Sequence, residues 1–315
     1  MTKGFFQREF SRLGLGTHLG DVTPEFCQKQ QEAIRYALCH GMNIVDTAIN
    51  YRGNLAEKDV GVALAELFRT GKCRREDVCV VSKAGLLFGD ITEKRNPKKY
   101  FEEVLEPAGV AWSDYAEADG LYQTLNPKHF EIAFEKSLRN LQLETLDVHY
   151  IHIPEITFAN CANDSFYQQM EDLFAWYEGK IAAGKLRSYG LALEFTTMEP
   201  EEPKWNFSLE KIVALARKAG DGFRFVQLPY SIFYPGAFTH KIQTVAGQSF
   251  SMTEACHALG LTVVGSMPYA MGDGFTRHTA SEMLQFALDG VDIVNIGSSN
   301  VEHIAEALKR GCRTR

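Results

Sequence analysis

The sequence predicts a single α/β domain over residues 1–315 that folds as a closed (β/α)8 barrel, the TIM-barrel architecture. Eight short apolar runs rich in β-forming residues alternate with eight stretches in which apolar residues recur at three- and four-residue steps. Strands separated by helices are expected to pair in parallel, because a crossover helix returns the chain to the same end of the sheet. The count of eight and the length of 315 residues favour a closed barrel over an open doubly wound sheet.

The eight predicted strands are short apolar runs. In order they are RLGLGTH (12–18), NIVDTA (43–48), VCVVSK (78–83), LDVHYIH (146–152), LRSYGLAL (186–193), FRFVQLPY (223–230), LTVVGSM (261–267) and DIVNIGSS (292–299). The predicted helices follow them at 25–41, 54–71, 127–142, 164–184, 208–220, 251–260, 279–290 and 301–311. Several of these stretches end in glycine, which is a helix C-cap signal.

Two connections are long, one after strand 3 (residues 84–126) and one after strand 6 (residues 229–248). Long loops in a compact domain are usually functional, and both leave the strand ends where barrel enzymes build their sites. We expect their aromatic residues to wall an apolar or ring-containing substrate, with simple packing of the loops as the alternative. These aromatic residues are Phe88, Tyr100, Phe101, Trp112, Tyr115 and Tyr122 in the first loop, and Tyr230, Phe233, Tyr234 and Phe238 in the second.

Composition argues against several classes of protein. The net charge is −7 and the densest basic cluster is KCRR at 72–75, so nucleic-acid binding is not expected. No apolar stretch approaches membrane-spanning length, and the first ten residues lack the features of a signal peptide, which predicts a cytoplasmic protein with no membrane partner. The cysteines form no CxxC pair and predict reduced thiols, with neither disulfides nor a metal site; they are Cys27, Cys39, Cys73, Cys79, Cys161, Cys256 and Cys312.

Polar side chains stand at the carboxyl ends of successive predicted strands. Asp46 lies near the end of strand two with Tyr51 just beyond it, Lys83 ends strand three, His152 ends strand four, and Gln227 lies in strand six. In a barrel these strand ends lie around one rim. The side chains are therefore expected to converge.

Together these residues predict a general acid that protonates an oxygen gaining negative charge. A tyrosine phenol has a pKa of about 10, and an adjacent ammonium such as that of Lys83 lowers it. The carboxylate of Asp46 would keep the buried lysine charged, and His152 would orient a carbonyl oxygen or share the proton. The alternative is a structural Asp46–Lys83 pair with Tyr51 nearby by coincidence.

At these residues the sequence resembles the aldo-keto reductase family. NIVDTAINYR resembles the family's D-T-A-x-x-Y, VVSKAG its strand-three lysine segment, SLRNLQLETLDVHYIHIPE its S-L-x-x-L…D…H-x-P segment, and GKLRSYGLA its G-K-I-R-x-x-G. The resemblance implies carbonyl reduction with NADPH. It also implies a catalytic tetrad in which Tyr51 donates the proton, Lys83 and Asp46 support it, and His152 orients the substrate oxygen.

The resemblance further implies a cofactor site. Gln227 matches a glutamine that contacts the nicotinamide amide, and residues 296–300 open the last helix, where backbone N–H groups can hold phosphate. NADP(H) is the expected cofactor, and NAD(H) is the alternative. The implied cofactor-binding residues are Thr17, Gln227, Ser266, Pro268, Gly297, Ser298, Ser299 and His303.

Several positions depart from the family pattern. Ala192 and Leu193 occupy the Ser and Asn positions that bind the carboxamide, and neither side chain can make those hydrogen bonds. Ser266 stands where a tyrosine stacks on nicotinamide, with Tyr269 nearby as a substitute. His303 stands where Gln or Arg is common, and Ala307 where an adenine-binding Asn is expected.

We therefore expect an NAD(P)H-dependent oxidoreductase that reduces an aldehyde or ketone to an alcohol, or the reverse, and that works as a monomer on a small molecule. One alternative is a non-redox lyase, epimerase or dehydratase that uses the same Tyr/Lys/His set. Another is a subunit that senses a nucleotide without turnover.

Overall fold

Eight parallel strands close into a barrel in the computed structural model of the protein, which describes residues 9–311. Each strand pairs with its neighbours in the chain, and the last pairs with the first, so the predicted (β/α)8 barrel is confirmed. The barrel strands are β1 (Leu13–Gly16), β2 (Ile44–Asp46), β3 (Cys79–Ala84), β4 (Leu146–His152), β5 (Leu186–Ala192), β6 (Phe223–Pro229), β7 (Thr262–Ser266) and β8 (Ile293–Gly297).

One long helix follows each strand, as the periodicity predicts. Side-chain oxygens of Thr23, Asn126, Ser208, Ser251 and Thr279 accept a backbone N–H at five of the helix N-termini, which fixes where those helices begin. The helices are α1 (Pro24–Cys39), α2 (Leu55–Arg69), α3 (Pro127–Leu141), α4 (Asn163–Ala182), α5 (Leu209–Ala219), α6 (Met252–Ala258), α7 (Ala280–Gly290) and α8 (Val301–Gly311).

The connections contain short elements of their own. The segment after β3 holds the turns Ile91–Glu93, Pro97–Tyr100, Phe101–Leu105 and Trp112–Asp114 and the hairpin Ala116–Ala118 with Leu121–Gln123. The segment after β6 holds Gly236–Thr239 and the hairpin Gln243–Val245 with Gln248–Phe250. Both long loops are confirmed. Further short turns are Tyr51–Asn54, Arg75–Asp77, Glu155–Asn160, Phe195–Met198, Pro203–Trp205 and Ala270–Thr276.

The barrel interior is filled with apolar side chains below the rim. Side chains alternate along each strand, so one set points inward and packs into layers. Between β5 and β6 the backbones approach closely: a Cβ on Gly190 would lie 2.0 Å from the carbonyl oxygen of Phe225, so this position needs glycine. The interior apolar cluster comprises Ile44, Cys79, Val81, Val148, Tyr150, Ala192, Phe225, Val264 and Ile293. It forms the base on which the polar residues of the rim lie.

Two further expectations from the sequence concern the oxidation state of the cysteines and the presence of membrane-spanning helices. The six cysteines within residues 9–311 are free thiols, while Cys312 and most of the first ten residues lie outside the described part of the chain. Within the described part, no helix is both long enough and apolar enough to span a membrane.

Candidate active site

The centre of the rim is a buried ion pair between Asp46 and Lys83. Asp46 ends β2 and Lys83 is the fifth residue of the neighbouring β3, and parallel pairing brings the two side chains together. The Lys83 Nζ lies 2.5 Å from Asp46 Oδ1. It also donates to the carbonyl of Thr47 at 3.0 Å and to the Tyr51 hydroxyl at 3.1 Å. The ammonium therefore has three oxygen partners in fixed positions, which offsets the cost of burying it.

Tyr51 is held by the turn that follows it. Arg52, Gly53 and Asn54 have positive φ angles of 49°, 60° and 78°. The Arg52 guanidinium forms a buried ion pair with Asp59 at 2.7 Å, and the Asn54 amide donates to the carbonyl of Ile49 at 2.7 Å. These contacts stabilise a backbone conformation that non-glycine residues rarely adopt. Sequence reasoning missed Arg52 and Asn54, which directly follow the tyrosine in the chain.

Burial controls the protonation of the tyrosine and the lysine. Burial raises the pKa of Tyr51, and the nearby Lys83 opposes that rise only in part. The expected lowering by the ammonium is therefore present, but desolvation outweighs it. Burial acts to lower the pKa of Lys83, yet the Asp46 carboxylate and the Tyr51 hydroxyl together raise it above the ordinary value. At neutral pH the phenol keeps its proton and the lysine keeps its charge.

Two histidines lie against the tyrosine. The His152 ring is 5.9 Å from the Tyr51 ring, centroid to centroid, and its buried Nδ1 has no hydrogen-bond partner among residues 9–311. The His18 ring lies closer, at 4.5 Å. Burial, with a contribution from Lys83, lowers the pKa of both histidines, so both imidazoles are neutral near pH 7. His18 was missed from the sequence because its position depends on the loop after β1.

A cavity of about 430 Å³ opens above these residues. A volume of this size is at the lower end of the range for small-molecule sites. The structure brings most of the predicted site residues to it, with Lys83 beneath its floor in contact with Asp46 and Tyr51. The predicted residues that line the cavity are Asp46, Tyr51, His152, Gln227, Ser266, Pro268 and Gly297.

Gln227 is hydrogen-bonded to the ion pair of Asp46 and Lys83. Its Nε2 donates to Asp46 Oδ2 at 2.8 Å, so each carboxylate oxygen of Asp46 has its own partner. This contact extends the polar network from β2 and β3 across the rim to β6. The sequence predicted Gln227 as a cofactor contact and did not predict this bond.

Four predicted cofactor residues lie apart from the cavity wall. Thr17 is buried between the lining residues Gly16 and His18, and its hydroxyl donates to the carbonyl of Asp46 at 3.1 Å. Ser298 and Ser299 are half-buried in the segment between β8 and α8, and His303 is exposed on α8. Their roles stay predictions.

Apolar residues form much of the cavity mouth. Ala192 and Leu193, which occupy the Ser and Asn positions of the family pattern, are buried in its wall. Leu19, Met271 and Phe275 also line the cavity and are exposed. Met271 and Phe275 come from the loop after β7, and none of the three was named as a site residue from the sequence. Their exposure at a cavity mouth indicates a surface that binds a ligand.

The aromatic residues of the two long loops differ in burial, and several of them hold their loops in place, which is one of the two roles considered from the sequence. Phe88 and Tyr100 are buried against the barrel, and Tyr230 packs on Phe238, so these residues hold their loops in place. Trp112 and Tyr122 remain exposed. The described residues contain no group of three or more His, Cys, Asp or Glu side chains placed to hold a metal ion.

Comparisons with known proteins agree with this geometry. The model of the "Aldo/keto reductase family" matches residues 12–284. Aldose reductase B of Dictyostelium discoideum is 33% identical over 125 residues, which are 40% of this chain and 34% of that protein. An aldo-keto reductase family 1 member C23-like protein of Equus caballus is 28% identical over 142 residues, 45% of this chain and 31% of that protein. The chain thus spans about a third of the length of these relatives.

Solved structures show the same fold. An aldo/keto reductase from Klebsiella pneumoniae in complex with NADP and acetate has a TM-score of 0.62 at 20% identity, covering 98% of this chain and 88% of that one. The aldose reductase from Schistosoma japonicum has a TM-score of 0.60 at 20% identity, covering 98% and 85%. At this identity the likeness establishes the barrel.

Proposed function

The chain belongs to the aldo/keto reductase family, and from that premise we propose that it is an NADP(H)-dependent oxidoreductase. The reaction is the reduction of an aldehyde or ketone to an alcohol, or the reverse, with NAD(H) as the alternative cofactor. The observation that carries the proposal is the hydrogen-bonded chain from Asp46 through Lys83 to Tyr51 beneath a cavity. A charged lysine held against a phenol in a cavity floor is an arrangement suited to proton transfer.

The residues present fit a nicotinamide nucleotide. The cavity extends from Tyr51 to Gly297, where a Cβ would meet nothing within 4 Å, so a ligand can approach the backbone closely. Gly297 lies just before α8, a helix of 11 residues whose N-terminal N–H groups favour phosphate. Gln227 and Asn295 line the cavity and supply amide groups. We propose that these residues hold the cofactor, with Tyr269 as part of the wall.

The protein's own residues handle the oxygen of the substrate. When bound, the reduced nicotinamide supplies a hydride to the carbonyl carbon. Tyr51 then gives its hydroxyl proton to the carbonyl oxygen, and Lys83 stabilises the phenolate that remains. Neutral His152 donates a hydrogen bond that orients the same oxygen. The alcohol leaves, and the phenolate takes a proton from solvent.

The names of related proteins support this proposal. Two of the relatives are named aldose reductases, others are named reductases or dehydrogenases, and two solved structures of similar fold contain NADP or NADPH. These properties belong to those proteins. They support the proposal because this chain has the same fold and carries Asp46, Tyr51, Lys83 and His152 near one another at one end of the barrel.

A non-redox activity is the second candidate, and one observation favours it. Ala192 and Leu193 are buried, apolar and part of the cavity wall, where hydrogen-bonding residues would bind a carboxamide. A neutral phenol beside an ammonium could equally catalyse an elimination or an epimerisation. Cofactor binding separates the two candidates.

Incubation with NADPH and a panel of aldehydes tests the proposal. Loss of NADPH absorbance that depends on the aldehyde, with formation of the matching alcohol, is the expected result. Equal loss with and without aldehyde across the panel would contradict the proposal. Running the reverse reaction with NADP and the alcohols covers the opposite direction.

A further inference from the structure

A second groove adjoins the catalytic cavity on the side of β3. Its volume is about 620 Å³, larger than that of the cavity itself. Asn50, Leu86 and Leu121 line both spaces, so the two lie side by side. Asn50 directly precedes Tyr51, which places the junction beside the proposed proton donor.

Aromatic side chains form one wall of the groove, and part of that wall is exposed to solvent. Trp112 packs edge-on against Phe101, with ring centroids 5.0 Å apart and planes at 80°, and lies 5.1 Å from the Tyr122 ring. Phe101 is buried, but Trp112 is 47% exposed and Tyr122 36%. An exposed tryptophan that is fixed by neighbouring rings is prepared for stacking, because little conformational freedom is lost when a ligand binds.

The loop that carries this wall is anchored to the barrel. The buried carboxylate of Asp90 forms ion pairs with Lys136 at 2.8 Å and with Lys58 at 3.0 Å. These ion pairs connect the loop to α3 and α2. The backbone N–H of Leu87 donates to the carbonyl of Tyr122 at 2.8 Å, which fastens the hairpin to the end of β3. These contacts fix the position of the loop, and with it the shape of the groove.

The lining indicates the chemistry of the occupant. Leucine, proline and aromatic side chains form the wall, while the charged residues Lys98, Glu102 and Glu106 are exposed. Among the described residues that line the groove, Lys98 is the one basic side chain, and it pairs with Glu102 at 3.8 Å, which does not favour a phosphate or carboxylate ligand. A sugar would need several fixed hydrogen-bond partners. A flat apolar ring suits this wall best.

The order of strands around the barrel indicates on which side of the cavity the substrate lies. The proposed cofactor residues Ser266 and Gly297 end β7 and β8, and β7 stands four places from β3 in the ring of eight. A cofactor on that side leaves the β3 side open to substrate. Resting on the proposed function, we infer that the substrate is elongated, with its carbonyl at Tyr51 and an apolar aromatic ring stacked in the groove on Trp112.

Two matched aldehydes test this inference. 4-Methoxybenzaldehyde and 4-phenoxybenzaldehyde share the reacting group and the ether oxygen, and only the second carries a distal ring. We expect a kcat/KM about tenfold higher for the phenoxy compound, and we expect Trp112→Ala to remove most of that ratio while Trp112→Phe keeps it. Val62→Ala, which removes another exposed apolar side chain outside the groove, should keep the ratio.

Calorimetry with compounds that cannot be reduced separates this inference from the proposed function. 4-Phenoxybenzamide should bind the full chain about tenfold more tightly than 4-methoxybenzamide, and Trp112→Ala should remove the difference. If no aldehyde of the panel is reduced but this difference appears, the reductase proposal fails and the groove site stands. Equal affinities, or a difference that survives Trp112→Ala, would overturn the inference.

Discussion

The Tyr51 hydroxyl lies 3.1 Å from the Lys83 ammonium nitrogen. Lys83 is in turn held at 2.5 Å by Asp46, and Asp46 by Gln227 at 2.8 Å. From the order of these contacts we propose a separate task for each group. The phenol would donate its proton into the cavity, the ammonium would stabilise the resulting anion, and the carboxylate and the amide would keep the ammonium in place.

Tyr51→Phe removes the proposed proton donor and leaves the ring packing intact. We expect kcat/KM for aldehyde reduction to fall by about 100-fold or more, because no general acid remains. Affinity for NADPH should change little. Steady-state kinetics and a cofactor titration measure both quantities. Tyr36→Phe on α1, distant from the cavity, serves as the control, and retained activity in Tyr51→Phe would remove the phenol from the mechanism.

Asp46→Asn leaves Lys83 buried without a carboxylate. Removal of one partner of a buried pair costs about 3–5 kcal/mol. In addition, if the new Asn side chain keeps its oxygen on Lys83, its NH2 group faces the Nε2 of Gln227, and two hydrogen-bond donors then lie in contact. We expect a lower free energy of unfolding and a fall in kcat with little change in KM. Urea unfolding and kinetics measure these effects. Unchanged stability would contradict the buried ion pair.

The strands and the positions of the candidate catalytic residues could be predicted because their signals are local. Apolar runs of strand length alternate with helical periodicity, and Asp46, Lys83 and His152 stand at strand ends, where the barrel fixes their direction. Thr17 shows the limit of that reasoning. It follows β1 directly, but its side chain turns to the carbonyl of Asp46.

The walls of the site could not be predicted in the same way. His18 and Phe275 lie on loops whose paths depend on contacts between distant segments. Trp112 was expected either in a wall or packed against its loop, and the choice depends on such contacts, for example the pairing of Asp90 with Lys136. The expected lowering of the Tyr51 pKa was also wrong. Burial raises this pKa more than Lys83 lowers it, and the extent of burial cannot be read from the sequence.

Asp59→Ala tests the anchoring of the Tyr51 turn. Arg52 would be left buried without its partner, which costs about 3–5 kcal/mol, and its positive φ angle would lose support. Thermal unfolding should show a clear loss of stability. Asp77→Ala, which removes an exposed partner of Arg74, is the matched control and should have little effect. Equal effects of the two substitutions would contradict the buried anchor.

Glu155 predicts a pH dependence of stability. Burial raises its pKa from 4.5 to about 7, so the folded state binds a proton that the unfolded state releases. The stabilisation is fully present below pH 4.5 and is lost as pH rises through 7, on the order of 3 kcal/mol in total. Glu155→Gln should remove this part of the pH dependence in urea unfolding between pH 4.5 and 8. Glu202→Gln, an exposed control, should retain it.

The most direct test of the central claim is a titration of the protein with NADPH, NADP, NADH and NAD. Quenching of tryptophan fluorescence gives the affinity of each nucleotide, and calorimetry provides an independent value. We predict micromolar or tighter binding of NADPH and NADP, with weaker binding of NADH and NAD. If none of the four binds, the apolar wall at Ala192 and Leu193 marks a site without a nicotinamide, and the oxidoreductase proposal is contradicted.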